Sequence, residues 1–167
     1  MKTLLILRHG KAQPDAPKGD HARVLTNRGQ RNASDIGEYI ATHVPPIDAI
    51  VTSDAARAYE TAELAGQAIS FSTPLTVEPR IYAAELATLL DIVHALPNDA
   101  ERVLLVGHNP GFEELSEVLA AAGVVPGRLP TAALAHLDFD VAHWRDVREG
   151  TGLLRGVITP RSLAGEA

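Results

Sequence analysis

The sequence predicts an α/β fold: a single-domain, three-layer sandwich with a mostly parallel central sheet and helices on both faces. Short apolar runs typical of buried parallel strands occur at residues 4–7, 48–52 and 103–106. Each run is followed by a turn and then by a segment of helical periodicity, so strands and helices alternate. The length of 167 residues suits one domain with a sizeable core.

Two helices are predicted after the first two strands. Thr26 is a suitable N-cap for the first helix, which extends to about His43 with apolar residues at helical spacing on one face. Ser53 or Asp54 could cap the second helix, whose small apolar residues recur every three or four positions as far as Ile69. Both helices are therefore predicted to be amphipathic and to cover the sheet.

Two further helices and two strands complete the predicted domain. Residues 86–96 form an amphipathic segment that stops at Pro97, and Pro110 begins a fourth helix that ends before Gly123. The two strands that follow are residues 133–139 and 153–159. We expect the folded domain to span residues 1–160 and residues 161–167 to form a flexible C-terminal tail.

Composition argues against several classes of function. The formal net charge of −6 disfavours a nucleic-acid partner, which would require a basic surface. The chain has no cysteine, which excludes disulfides, thiolate catalysis and cysteine-ligated metals. No apolar stretch approaches the roughly 20 residues that span a bilayer. We therefore expect a cytoplasmic protein with no membrane partner.

Basic and imidazole side chains follow the ends of the three predicted parallel strands. Arg8 and His9 follow the first strand, Arg57 lies one helical turn beyond the second, and His108 follows the third. Because ligands of open α/β sheets bind beyond the carboxyl ends of the strands, we expect these side chains to converge. Four groups that can carry positive charge favour a shared anion, and a phosphoryl group suits paired guanidinium groups.

The motifs that hold these side chains occur in a fixed order. They read RHG at residues 8–10, RVLTNRG at 23–29, SDAARAYET at 53–61 and GHNP at 107–110. RHG alone is a weak signal, whereas the ordered set at these separations is specific. The set resembles the histidine phosphatase superfamily, and within it the small phosphohistidine phosphatases of the SixA type. The similarity extends from Met1 to about Phe139 and implies a phosphoglycerate mutase-like fold.

The resemblance implies a hydrolase that works through a covalent phosphohistidine intermediate. His9 would be the nucleophile, Arg8 and Arg57 would bind the phosphoryl oxygens, and His108 would donate a further hydrogen bond to them. The resemblance implies no metal ion and no cofactor, because the guanidinium groups neutralise the phosphoryl charge. Phosphate, sulfate and vanadate are expected to bind at the same site.

One departure from the family pattern concerns the leaving group. Larger members carry a glutamate general acid at a position that falls here on Ala83. Glu85 could take its place, and Asp15 and Asp20 are further candidates. An alkoxide needs a proton as it leaves, whereas the conjugate acid of imidazole has a pKa of about 6.5 and can form before cleavage. The sequence therefore favours a protein phosphohistidine over a sugar phosphate.

Two other interpretations stay open. A phosphatase of small phosphate monoesters could use the same His9 chemistry, and a non-catalytic phosphate- or phosphoprotein-binding module could use the same anion site without turnover. An α/β-hydrolase is excluded because Asn109 stands where the nucleophilic serine would be. The seven histidines show no spacing typical of a metal site.

Overall fold

A computed structural model describes residues 1–165 and contains one six-stranded sheet. The strands are β1 (Lys2–Arg8), β2 (Ala49–Thr52), β3 (Thr76–Val77), β4 (Arg102–Gly107), β5 (Leu134–Phe139) and β6 (Leu153–Ile158). Their order across the sheet is β3-β2-β4-β1-β5-β6. Within the described residues β5 is the one strand that runs against the others, so the mostly parallel sheet predicted from the sequence is confirmed.

The helices lie on both faces of the sheet, as expected. They are α1 (Asn27–His43), α2 (Ala56–Ala68), α3 (Leu86–His94), α4 (Gly111–Leu119) and α5 (Pro160–Leu163). Apolar residues of α1 and α2 form one core with the sheet, and those of α3 and α4 form a second core on the opposite face. The α/β sandwich is therefore confirmed as a three-layer arrangement.

Strand β1 shows why its sequence is continuously apolar. Leu4 and Ile6 face the core beneath α3 and α4, whereas Leu5 and Leu7 face the core beneath α1 and α2. Successive side chains of a strand point to opposite faces, so a strand covered on both sides needs apolar residues at every position. The buried strand ends at Arg8, where the sequence changes to the RHG motif.

The caps and ends of the helices differ in part from the predictions. Thr26 caps α1 as predicted, because its hydroxyl accepts a hydrogen bond of 3.0 Å from the Gly29 N–H. The prediction that Ser53 or Asp54 caps α2 is wrong, since Ala55 holds the N-cap position without a side-chain hydrogen bond. The Ser53 hydroxyl does accept from the Ala55 N–H at 3.2 Å, but Ser53 lies two residues before the N-cap position and does not cap the helix.

Helix α3 ends earlier than predicted, whereas α4 ends before Gly123 as predicted. α3 stops at His94, before the Pro97 that was expected to end it, because the residue preceding a proline is biased away from helical geometry. α4 ends at Leu119, where Ala120 turns to extended backbone and bridges Gly152.

Several short elements lacked a sequence signal. The edge strand β3 has two exposed residues and no periodicity, and three one-turn 3₁₀ helices connect the main elements. These 3₁₀ helices are Asp20–Ala22, Pro79–Ile81 and Trp144–Asp146. Elements this short depend on tertiary contacts instead of on any local pattern.

The C-terminal segment begins with a helical turn. Thr159 caps α5 through the Ser162 N–H, and α5 packs against α1. Residues 166–167 of the expected tail lie outside the described residues, so the flexible tail stays a prediction. No helix in residues 1–165 has the length and apolar character needed to cross a membrane.

Two glycines allow the chain after β1 to lie against the start of α1. A Cβ on Gly29 would lie 2.2 Å from the Lys11 carbonyl oxygen, and a Cβ on Gly10 would lie 2.8 Å from the Gly29 oxygen. The Thr26 N–H also donates to the Lys11 carbonyl at 2.9 Å. Gly10 and Gly29, which belong to two separate motifs, are therefore both needed for the close backbone contact between the segment after His9 and the start of α1. This contact fixes the position of that segment.

We predict that Gly29→Ala destabilises the protein by about 1–3 kcal/mol, the usual cost of overpacking a closed site. The added methyl group meets backbone, which cannot rotate away. Urea unfolding measures the effect. Arg31→Ala, at an exposed position of the same helix, is the control and should change the free energy of unfolding by no more than about 0.5 kcal/mol. Equal stabilities for Gly29→Ala and the wild type would contradict the prediction.

Candidate active site

The structure brings together the side chains that the sequence placed after three strands. β2, β4 and β1 are neighbours in the sheet, so their carboxyl ends form one continuous edge. His9 and His108 lie there with ring centroids 5.2 Å apart, and the Arg57 Nε–H donates to His9 Nε2 at 3.3 Å. Arg8 lies close enough that its charge lowers the pKa of His9 and that the charge of Arg57 acts on Arg8. We call these four residues the anion site.

The His9 ring is held in one orientation by its own loop. Its Nδ1–H donates to the Gly10 carbonyl at 2.7 Å, which leaves the lone pair of Nε2 on the side of Arg57. Burial, followed by the charges of Arg57 and Arg8, lowers the pKa of His9 to about 4. The imidazole is therefore neutral near pH 7, and Nε2 is available as a nucleophile.

A threonine couples His9 to Arg57. The Gly10 N–H donates to Thr61 Oγ1 at 3.0 Å, and the Thr61 hydroxyl donates to the Arg57 carbonyl at 2.7 Å. Thr61 is the last residue of the SDAARAYET motif and is fully buried on α2. Its position four residues after Arg57 puts both on one face of the helix, which gives the motif spacing a physical reason.

His108 is oriented by the second strand. Its Nε2 shares a hydrogen bond of 2.8 Å with Ser53 Oγ, so the residue that fails to cap α2 instead holds an imidazole. Burial, followed by the proximity of His9 and Arg57, lowers the pKa of His108 to about 3. The ring is neutral, and a proton on Nδ1 would let the Ser53 hydroxyl donate to Nε2.

Two buried nitrogens of the anion site have no hydrogen-bond partner among residues 1–165. They are Arg8 Nε and His108 Nδ1. Arg8 is otherwise anchored by its Nη1, which donates to the Leu129 carbonyl at 3.1 Å. Buried polar groups are normally paired, so unpaired nitrogens beside His9 indicate a place for the oxygens of a ligand.

Asp20 lies at the open side of the anion site. Its carbonyl oxygen accepts from Arg57 Nη1 at 2.9 Å, and its Oδ2 accepts from Arg57 Nη2 at 3.1 Å and from the Tyr82 hydroxyl at 2.6 Å. The Asp20 side chain is 51% exposed. The long polar loop after β1 therefore folds back onto the site. The Tyr82 hydrogen bond, aided by Arg57, lowers the pKa of Asp20.

The other acidic candidates are placed differently. Glu85 is the exposed N-cap residue of α3, and in the described chain no hydrogen bond or ion pair joins it to the anion site. Asp15 is exposed in the loop. Ala83 occupies the position aligned with the missing acid and has a positive φ of 55°. A role for Glu85 as general acid stays a prediction.

Sequence reasoning did not single out Thr61 or Tyr82. Thr61 is the last residue of the SDAARAYET motif, and its helical spacing from Arg57 is a signal that the sequence contains. Tyr82 carries no such signal, because its contact with Asp20 joins two loops 62 positions apart. Asn109 shapes its turn, since its Nδ2 donates to the Leu129 carbonyl at 2.9 Å. Within residues 1–165 no cluster of three or more His, Asp or Glu side chains could hold a metal ion.

Comparison with known proteins shows which proteins this chain is similar to. The family model described as the histidine phosphatase superfamily (branch 1) matches residues 4–83. An uncharacterized protein of Mycobacterium tuberculosis, Rv1276c, is 32% identical over 164 residues, which cover 93% of this chain and 100% of that protein.

Solved structures share the fold over nearly the whole chain. A protein of Nakamurella multipartitia, provisionally assigned as the phosphohistidine phosphatase SixA, superposes with a TM-score of 0.83 at 29% identity, covering 95% of this chain and 96% of that one. A protein histidine phosphatase SixA solved with tungstate also gives a TM-score of 0.83, at 24% identity, over 96% of this chain and 99% of that one.

The lowered pKa of His9 predicts how stability depends on pH. The unfolded chain binds a proton at His9 near pH 6.5, whereas the folded protein binds it only near pH 4. Stability is therefore lost as the pH falls from about 6.5 towards 4. Replacing His9 by Asn should remove about 2 kcal/mol of that loss at pH 5. Free energies of unfolding at pH 7 and pH 5 measure it, and equal losses in variant and wild type would contradict the assignment.

Proposed function

We propose that this chain, which belongs to branch 1 of the histidine phosphatase superfamily and is of the SixA type, is a protein phosphohistidine phosphatase. The family makes it a phosphatase that acts through a histidine; the protein substrate and the residue roles below are our proposal. The observation that carries the proposal is the neutral Nε2 of His9, oriented by the Gly10 carbonyl and adjacent to Arg57.

The first step transfers the phosphoryl group to His9. The Nε2 lone pair attacks phosphorus, the bond between phosphorus and the leaving nitrogen breaks, and its electron pair stays on the leaving imidazole. Reacting atoms must be held about 3–3.5 Å apart and in line, which a ring fixed at the end of a rigid strand provides. Water then attacks the phosphorus on His9, releases inorganic phosphate and restores the neutral ring.

The remaining members of the anion site would bind the phosphoryl oxygens. Arg57 carries a guanidinium group next to Nε2, and the unpaired Arg8 Nε and His108 Nδ1 supply two further donors. Arginine suits this role because its planar donors match the oxygens of a phosphoryl group. We propose that these guanidinium groups replace a metal ion, and that phosphate, sulfate and vanadate bind here.

The lack of a suitably placed acid supports a phosphohistidine substrate. Ala83 cannot donate a proton, and Glu85 lies exposed at the start of α3. The depressed pKa of Asp20 makes it a poor acid near pH 7. An imidazole can leave without an enzyme acid when its ring is already protonated, because the conjugate acid has a pKa of about 6.5. An alcohol has no such route.

A phosphatase of small phosphate monoesters is the second candidate function, favoured by the half-exposed Asp20 that leaves the anion site open to small solutes. A non-catalytic binding module is less well supported, because binding alone would not require a neutral His9 with an oriented lone pair. The three functions differ in what they predict for turnover and for labelling of the protein.

We predict that ³²P from a labelled phosphohistidine appears on the protein in a rapid acid-free quench and is absent in His9→Ala. Arg57→Ala should slow the transfer about 10²-fold or more, the usual effect of removing one donor that stabilises the transition state. Arg31→Ala, which removes an exposed arginine on α1, should keep the wild-type rate. Label retained by His9→Ala would refute the nucleophile.

We also predict a substrate preference. With EDTA present throughout, kcat/KM for a phosphohistidine-containing protein should exceed that for glycerol phosphate by at least about 10²-fold, the usual contribution of a general acid that an alkoxide lacks here. Steady-state release of inorganic phosphate measures both. A preference for glycerol phosphate would establish the small-ester phosphatase instead, and activity lost in EDTA would refute the metal-free mechanism.

A further inference from the structure

We propose that Asp20 selects for phosphohistidine: its carboxylate accepts the N–H of the substrate imidazole's far ring nitrogen and so keeps the leaving group protonated. This inference rests on the proposed function and adds a specificity-determining residue to it. Asp20 acts on the leaving group as an anion, not as an acid, and it does not bind the phosphoryl oxygens.

The position of Asp20 suits a contact with the leaving group. The guanidinium group of Arg57 bridges the two sites, with its Nε on His9 Nε2 at 3.3 Å and its Nη2 on Asp20 Oδ2 at 3.1 Å. A phosphoryl group bound to the His9 side of this guanidinium directs its leaving group outward, away from Nε2, as in-line transfer requires. In our proposal the imidazole on that phosphorus lies along the guanidinium, with its far nitrogen facing Asp20.

The Asp20 carboxylate has room for one more donor. An ionised carboxylate offers about four acceptor positions. Three are used in the structure, by Arg57 Nη2 and the Tyr82 hydroxyl on Oδ2 and by Arg23 Nη1 on Oδ1 at 3.1 Å. The side chain is 51% exposed, so an incoming N–H group can reach it without displacing these partners.

The surroundings keep Asp20 ionised. The groups that face it are Arg23 from its own loop, Arg57 from α2, Tyr82 from the segment before α3, and His108 after β4. The Tyr82 hydrogen bond and the two arginines lower the pKa of Asp20. A carboxylate held in this state is a poor proton donor for an alkoxide but a good partner for an imidazolium.

Three rings near Asp20, those of His108, Tyr82 and His21, form a wall for a flat substrate. The Tyr82 ring packs edge to face against the His108 ring, with the ring centroids 5.5 Å apart. It packs in the same way against the His21 ring, with the centroids 4.8 Å apart. The wall therefore runs from the anion site outward to the exposed loop. Aromatic rings favour edge-to-face and offset-stacked neighbours, so an imidazole gains contacts here that a glycerol chain does not.

The chemistry balances without an enzyme acid. The substrate binds with a proton on the ring nitrogen far from phosphorus, so its ring is cationic and paired with Asp20. His9 Nε2 forms the new bond to phosphorus, the old nitrogen–phosphorus bond breaks, and its electrons return to the ring. The ring departs as neutral imidazole and keeps its proton. Asp20 raises the pKa of the bound ring, so the reactive form persists above pH 7.

Asp20→Asn tests the inference, because it keeps the shape and removes the charge. At pH 8 we expect kcat/KM for phosphohistidine to fall by about 10- to 100-fold, the range for a hydrogen bond to a charged group. For p-nitrophenyl phosphate, whose leaving group has no N–H, we expect the change to be less than about 3-fold, within the range of a neutral hydrogen bond. The phosphohistidine deficit should shrink below about pH 6.5, where free imidazole protonates.

Matched variants separate the inference from a purely structural role. Asp20→Glu keeps the charge and should restore part of the phosphohistidine rate, and Asp15→Asn, an equal charge change at an exposed position of the same loop, should behave as wild type. Equal losses on both substrates would mean that Asp20 only positions Arg57. Equal increases in kcat/KM on both substrates would mean that the Asp20 carboxylate only competes with the phosphoryl group for Arg57. Either overturns the inference, whereas wild-type protein inert towards phosphohistidine refutes the proposed function itself.

Discussion

The hydrogen bond from His9 Nδ1 to the Gly10 carbonyl is the constraint on which the site depends. It fixes which nitrogen of the ring keeps a lone pair, and it does so only while the Gly10 peptide holds its orientation. Gly10 itself is held at two points: its N–H donates to the Thr61 hydroxyl of α2, and its Cα lies in close contact with Gly29 at the start of α1. The two helices on one face of the sheet, α1 and α2, therefore both help to fix the orientation of the His9 ring.

The fold was predictable because its strands and helices carry strong local patterns. Residues 4–7 of β1 are apolar at every position because this strand is buried on both faces. β5 alternates, with Ala135 and Leu137 on one face, because along these residues only that face is buried in the core. The helix ends were less predictable. Ser53 has the chemistry of an N-cap, but its hydroxyl binds His108, and no local rule reveals that competition.

The anion site was predictable because strand ends meet at one edge of a parallel sheet. Arg8, His9, Arg57 and His108 each follow a strand or its next helical turn, so topology alone brings them together. Asp20 and Tyr82 belong to irregular segments, and their contact depends on how two loops fold across the edge. The resemblance to a family gave the expected roles of the motif residues. The physical reason why Thr61 and Gly29 belong to these motifs became visible only in the folded structure.

The place of β1 in the sheet has a consequence for biosynthesis. β1 is synthesised before the other strands of this sheet and becomes an interior strand, and both its partners, β4 and β5, are encoded about a hundred residues later or more. Until these strands are synthesised, residues 4–7 expose unpaired backbone groups and four large apolar side chains, which favour aggregation. The sheet edge that carries the anion site can therefore form only after β4 has been synthesised.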